Sequence, residues 1–344
     1  MKNYLRKHLQ SHNVYQSARQ EFEGVSDELI LLDANENPFD LPYSRYPDPM
    51  QKELSEAIAE WRNVPLSQLF LGNGSDEIIN QLVFAFCEPQ EDKILIFPPT
   101  FGMYKVATEL HKVERVEVPL TVDFQLDIPT ILKSISADMK ICFVPTPNNP
   151  TGNRFSTQDL QLLAKEFPGI VVIDEAYAEF SPEESALSWL DDYSNVICLQ
   201  TFSKAQGMAG ARLGMAFGAQ TIIEGLLKVK APYHLNVLTA EVALHQVKHK
   251  QDKIHEMVQL LVDERERMVT SMKELGFIKR IYPSDANFFM MRVDDASLRY
   301  QQLIQKNIVV RNASKNLNCE NCLRISIGTP EENTLFIKAL KEIA

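Results

Sequence analysis

The stretch Lys140–Tyr177 reads KICFVPTPNNPTGNRFSTQDLQLLAKEFPGIVVIDEAY, and it contains one complete unit of a parallel sheet. Its first apolar run, Lys140–Val144, is continuous rather than alternating, the pattern of a strand covered on both faces. Prolines and asparagines then break the chain. Ser156–Phe167 has the apolar spacing of an amphipathic helix, and Ile170–Ile173 is a second continuous run. Two such strands separated by a helix predict parallel neighbours with the helix crossing over one face.

The same texture extends in both directions. Lys93–Phe97, Val196–Leu199 and Leu213–Phe217 read as further buried strands, and Ser75–Phe86 and Gly102–Leu110 as helices between them. The prediction is an α/β fold with a mainly parallel central sheet and helices on both faces. A long helical stretch, Val237–Leu275, follows. Strand-like pieces come next at Phe288–Val293, Ile308–Val310 and Leu323–Ile327, then a helix from Glu331 to the end. We expect a large α/β domain over 41–229. A smaller α+β domain would comprise 230–344, with the N-terminal arm, 1–40, packed on it.

Composition narrows the functional classes. A chain of 344 residues suits roughly two domains. Lys and Arg total 35 against 46 Asp and Glu, a net charge of −11 that disfavours nucleic acid and anionic membrane surfaces. No run approaches the ~20 apolar residues of a membrane span, and the charged start lacks the apolar core of a secretory signal. The five cysteines, at 87, 142, 198, 319 and 322, are odd in number and scattered, so no disulfide framework is expected. Cys319 and Cys322 form one CxxC without a second pair or nearby His, which reads as a loop coincidence. His245 and His249 share a helical face but lack a third ligand. These features imply a cytoplasmic protein without a metal site.

Chemistry concentrates at predicted strand ends, where an α/β sheet binds its ligands. Lys204 follows one strand, flanked by Thr201 and Ser203, with Arg212 eight residues on. Asp174 ends another, with Tyr177 three residues later. Asn149 lies in the proline-punctuated turn after a third. Gly72-Asn-Gly-Ser-Asp-Glu77 opens a helix whose free N–H groups at Ser75 and Asp76 suit a phosphate. It is not a dinucleotide fingerprint, because Glu77 stands where the third glycine would be.

In this order and spacing the motifs resemble the fold-type-I pyridoxal-phosphate enzymes of the aminotransferase family, over nearly the whole chain. The resemblance implies that Lys204 holds the cofactor aldehyde through its amine and moves the substrate's Cα proton. Asp174 would keep the pyridine nitrogen protonated, while Tyr177 and Asn149 hydrogen-bond the ring hydroxyl. Ser75, Asp76, Thr201, Ser203 and Arg212 would hold the 5′-phosphate, and Phe101 would stack on the ring. An Asn149–Pro150 cis bond is expected, as in many members of the family.

Within that family, Tyr15-Gln-Ser-Ala-Arg19, Leu32–Pro38, Arg45-Tyr-Pro47 and Pro99–Tyr104 are similar to the histidinol-phosphate aminotransferases. The implied reaction exchanges an amino group between L-histidinol phosphate and 2-oxoglutarate, giving imidazole acetol phosphate and glutamate in histidine biosynthesis. Arg324 would bind the α-carboxylate of amino acids, and Arg311 would join it at the substrate phosphate. Tyr15 would add a hydroxyl there, and Asn35 would lie near the substrate. Tyr46 would reach the cofactor phosphate of a neighbouring subunit, implying a homodimer with shared sites. Threonine-phosphate decarboxylation and aromatic amino acid transamination remain open alternatives. A non-catalytic relative would be expected to have lost Lys204 or Asp174, and both are present.

Overall fold

The computed structural model describes residues 4–13, 30–39 and 41–344. Seven strands form the larger sheet: β1 (Leu69–Gly72), β2 (Lys93–Ile96), β3 (Glu114–Glu117), β4 (Met139–Pro145), β5 (Ile170–Asp174), β6 (Val196–Thr201) and β7 (Gly214–Gly218). Their order across the sheet is β1-β7-β6-β5-β4-β2-β3. From β3 through β6 every pairing is parallel, whereas β7 runs antiparallel to both β6 and β1. The reversal is local: an antiparallel neighbour needs no helical crossover, and β6 passes to β7 through a loop with a single short 3-10 turn.

Helices α1 (Lys7–Gln10), α2 (Lys52–Arg62), α3 (Gly74–Phe86), α4 (Gly102–Leu110), α5 (Ile128–Ser134), α6 (Thr157–Glu166) and α7 (Gln220–Val229) surround this sheet. Because successive strand residues point to opposite faces, each apolar run feeds two cores. Ile141, Phe143, Val172 and Leu199 pack with α3, α4 and α7. Cys142, Val144, Ile173 and Cys198 pack with α2, α5 and α6 on the other face. This double burial is why the strands read as continuous rather than alternating.

Beyond α7 come α8 (Val237–His249) and α9 (Gln251–Met272). A second, four-stranded sheet follows, built from β8 (Ile278–Ile281), β9 (Phe288–Val293), β10 (Arg311–Asn312) and β11 (Cys322–Ser326). It is antiparallel throughout, in the order β10-β11-β9-β8, and packs on α9, α10 (Ala296–Gln305) and α11 (Pro330–Glu342).

Three expectations differ from the structure. The long helical stretch is two helices, broken at Lys250, where φ is −125° and ψ 3°. Side chains hold the break: Gln246 donates to the Gln206 carbonyl, and Gln251 Nε2 donates to Gln206 Oε1 at 3.3 Å. Residues 308–310 lead out of α10, with Ile308 N–H bonded to the Leu303 carbonyl, so ladder pairing begins only at Arg311. Residues 6–10 of the N-terminal arm rest on the larger sheet's helices α3 and α7, while Leu31 and Glu36 meet Arg45 and Tyr46. Arg6 donates to the Phe84 and Ala85 carbonyls at the end of α3, where a cation suits the unsatisfied helix terminus. Among the described residues, no helix is long and apolar enough to cross a membrane.

Candidate active site

The carboxyl ends of β4, β5 and β6 lie side by side, with Pro145 level with Asp174 and Asp174 level with Leu199. They open into a cavity of about 620 Å3. Its lining brings together Ser75, Asp76, Phe101, Asn149, Asp174, Tyr177, Thr201, Ser203, Lys204, Arg212, Arg311 and Arg324. The small sheet supplies the last two and the large sheet the rest.

At the large-sheet end, close packing forces β1, the start of α3 and β7 together. Gly72 faces Gly214 in the ladder, and a Cβ on Gly214 would lie 2.5 Å from the Gly74 carbonyl carbon and the Ser75 nitrogen. Gly74 has φ +78°, and a Cβ there would meet the Arg212 guanidinium at 2.5 Å. Arg212 itself is left-handed, φ 56°. That strained backbone lets its guanidinium lie over the first turn of α3, 3.2 Å from Asp76 and 3.4 Å from the Ser203 hydroxyl. Ser203 N–H donates to Thr201 Oγ1 at 3.1 Å.

Asp174 is fully buried and accepts two protein hydrogen bonds, from Tyr104 Oη at 2.7 Å and from Ala176 N–H at 3.1 Å. Burial pushes its carboxyl up to about 6, opposed by these two donors. Lys204 is lowered, first by burial and then by the Arg324 charge, which favours a neutral, nucleophilic amine. Its Nζ lies 5.5 Å from the centre of the Tyr177 ring. Burial raises the Tyr177 phenol to about 12, against the pull of Arg324 and Asn149. Asn149 points its amide toward the Tyr177 hydroxyl at 3.5 Å, and its Oδ1 accepts from Arg324 Nη1 at 2.6 Å. The Asn149–Pro150 bond is cis, as are Pro98–Pro99 and Thr146–Pro147.

At the small-sheet end, Arg311 on β10 is the direct cross-strand partner of Arg324 on β11. Among the described residues, neither forms an ion pair with a carboxylate. Burial holds the Arg324 guanidinium below its usual range, and Arg311 pushes in the same direction.

Tyr46 and Asn35 lie outside this cleft, lining a second cavity of about 500 Å3 in the same chain. There Tyr46 stacks on Tyr233 at 4.4 Å and is half exposed. Tyr15 lies outside the described residues. Cys319 is buried in the turn before β11 and Cys322 is buried as the first residue of that strand, and His245 and His249 stand on an exposed face of α8. Sequence reasoning gave no role to Tyr104, nor to Met103, Val106 and Asn316, which also line or support the cleft. The sequence signal for Tyr104 is the Pro99–Tyr104 run itself, which puts it in the first turn of α4, three residues after the N-cap Phe101.

A lysine, a buried aspartate and an arginine laid over a helix N-terminus meet at the strand ends of this α/β sheet. The sequence model described as aminotransferase class I and II matches residues 27–340. The chain belongs to that family of transferases. A histidinol-phosphate aminotransferase from Flavobacterium johnsoniae is 46% identical, over 98% of this chain and 96% of that one. The solved histidinol-phosphate aminotransferase of Clostridium acetobutylicum superposes with a TM-score of 0.80 at 25% identity, covering 88% and 91% of the two chains. The Sinorhizobium meliloti enzyme of the same name, solved with pyridoxal 5′-phosphate, gives a TM-score of 0.79 at 23% identity, over 88% and 84%.

Proposed function

We propose that the protein exchanges an amino group between L-histidinol phosphate and 2-oxoglutarate, using pyridoxal 5′-phosphate. The observation that carries the substrate reading is the Arg311–Arg324 cross-strand pair, which opens onto the same cleft as Lys204. Like charges directly opposite in a ladder are destabilising unless an anion lies between them. A phosphate monoester, with up to two negative charges, suits that position, and the carboxylates of glutamate and 2-oxoglutarate suit it as well.

The residues present fit the cofactor. Gly74 and Gly214 let Arg212 and β7 pack against the first turn of α3, so its guanidinium and the helix's free N–H groups at Ser75 and Asp76 converge as a phosphate would require. Asp174 is a buried carboxylate at the cleft wall, suited to a ring N–H. When bound, the cofactor supplies an aldehyde to join the amino group and an electron sink for the Cα carbanion. Lys204 would hold that aldehyde through Nζ, and its lowered basicity would suit the same Nζ to accept and return the substrate Cα proton. Asp174 would keep the ring nitrogen protonated, Tyr177 and Asn149 would hydrogen-bond the ring oxygen, Phe101 would stack on the ring, and Arg212, Ser75, Asp76, Thr201 and Ser203 would hold the phosphate. Arg311 and Arg324, with Tyr15, hold the substrate anion.

In this reading residues 41–229 form the cofactor-binding unit and 230–344 the unit that brings in the two substrate arginines. The working enzyme is a cytoplasmic homodimer in which Tyr46 completes the partner's phosphate site and Asn35 approaches the substrate. The half-exposed Tyr46 and the exposed Tyr43, Leu238 and Val242 nearby support that assembly.

The test is a half-reaction without oxo acid. One equivalent of imidazole acetol phosphate should form per site from histidinol phosphate, and 2-oxoglutarate should regenerate the enzyme with release of glutamate. Faster reaction with phenylalanine or tyrosine, or carbon dioxide release from threonine phosphate, would overturn the substrate assignment.

A further inference from the structure

Tyr104 lies one helical turn beyond Phe101 on α4, but points away from the cleft surface and into the sheet. It is fully buried, stacked on Phe143 of β4 at 4.7 Å and 7°, and edge-on to Phe101 at 5.7 Å. Its hydroxyl reaches Asp174 Oδ2 at 2.7 Å. Burial and the neighbouring carboxylate hold its phenol well above the usual range, so it stays protonated and can only donate to an ionised Asp174.

The other buried carboxylate of this strand end shows what that single bond leaves open. Glu175 receives Ser185 Oγ, Ala186 N–H, Cys198 Sγ and Gln200 Nε2, so its acceptor capacity is taken by the protein. Asp174 receives one donor on each oxygen, from Ala176 N–H and Tyr104 Oη. An ionised carboxylate has about four lone-pair sites, so it can still accept from the cleft. The two donors fix the carboxylate's rotation, and Tyr104 holds the oxygen that the backbone does not.

We propose that Tyr104 is a positioning residue: its hydroxyl locks Asp174 as an ionised, oriented acceptor for the N–H of a bound heteroaromatic cofactor. The inference rests on the functional reading above. The aromatic stack on Phe143 sets the phenol's direction, so phenylalanine in its place would keep the packing and lose only the donor. The other titratable groups near Asp174 are Asp76 on α3, Glu175 beside it, Tyr177 and Lys204.

The experiment uses full-length holoenzyme and its Tyr104→Phe variant, with cofactor dissociation followed by equilibrium dialysis between about pH 5 and pH 8. A hydrogen bond to a charged group predicts that pyridoxal 5′-phosphate binds roughly tenfold more weakly or worse at neutral pH. The acid limb of cofactor affinity should move upward by about one pH unit. Turnover should fall while KM for the amino substrate stays unchanged. A purely structural tyrosine would lower thermal stability and leave the pH dependence where it was, which would overturn the proposal. In an Asp174→Asn background, Tyr104→Phe should add little, and an undiminished extra loss there would also overturn it. A wild-type chain that takes up no pyridoxal 5′-phosphate would sink the functional reading itself. Wild-type binding with an unaltered Tyr104→Phe profile would sink only this inference.

Discussion

Arg212, at the large-sheet end of the cleft, stands 3.2 Å from Asp76, whereas Arg311 and Arg324, at the small-sheet end, oppose each other across one antiparallel rung. The first cation is partly balanced by protein and fixed by a strained backbone. Among the described residues, no carboxylate pairs with either member of the second pair. This difference matches two kinds of anion. A resident phosphate can be held by stiff donors, because it is not exchanged in each cycle. A substrate anion that comes and goes is better met by charges whose mutual repulsion it relieves on arrival. The net charge of −11 conceals both arrangements, since the excess of carboxylates elsewhere in the chain outweighs these three arginines.

The largest effect should come from breaking the fixed end. Lys204→Ala should lower turnover by at least ~10^3-fold, since in the proposed function it is both the anchor and the proton carrier. Steady-state rates with each substrate check this, and repeated turnovers at wild-type rate would refute the assignment.

Asp174 gives the next effect, seen as stability against pH. Its carboxyl titrates near 3.8 when unfolded and about 6 in the folded chain, so the native state holds the proton more tightly. Its contribution is therefore intact below about pH 4 and is lost as pH rises through about 6. The loss approaches about 3 kcal/mol in the cofactor-free protein. Denaturant unfolding of the apoprotein should show this decline between those values, and Asp174→Asn should flatten it. A bound pyridinium would offset the penalty, so the holoenzyme should show a shallower slope.

At the exchangeable end, Arg311→Ala should raise KM for histidinol phosphate roughly tenfold or more, with a smaller change for glutamate. Equal losses for both would remove the distinction between a phosphate-binding and a general carboxylate-binding arginine.

What the sequence disclosed of these two ends follows from how each is encoded. β4, β5 and β6 are legible because burial on both faces writes continuous apolar runs, and α6 between the first two shows as an amphipathic stretch. β3 (ERVE) and β8 (IKRI) are not, because they are short edge strands whose charged side chains face solvent. β1, only four residues before the phosphate turn, was likewise unread. At the site, Lys204, Asp174 and Asn149 fall just after recognisable strands, so their convergence could be expected. The contact between Tyr104 and Asp174 spans seventy residues and depends on α4 packing over β4 and β5, which no local pattern specifies. The facing of Arg311 and Arg324 depends on register, and a one-residue slip would have put them on opposite faces.

That register supplies the smallest and sharpest prediction. If the two arginines repel each other in the free enzyme, removing one charge should stabilise the fold slightly. Arg311→Gln should raise unfolding stability by about 0.2–1 kcal/mol at low ionic strength. The gain should shrink as added sodium chloride screens the wild-type repulsion. Inorganic phosphate should stabilise the wild-type protein more than it stabilises Arg311→Gln, because only the wild type presents two facing cations. Holding the cofactor site saturated throughout isolates the small-sheet end from the phosphate cradle at the other. An Arg311→Gln variant that is less stable than wild type at low salt would mean that the pair is compensated within the protein, and the contrast between the two ends of the cleft would fail.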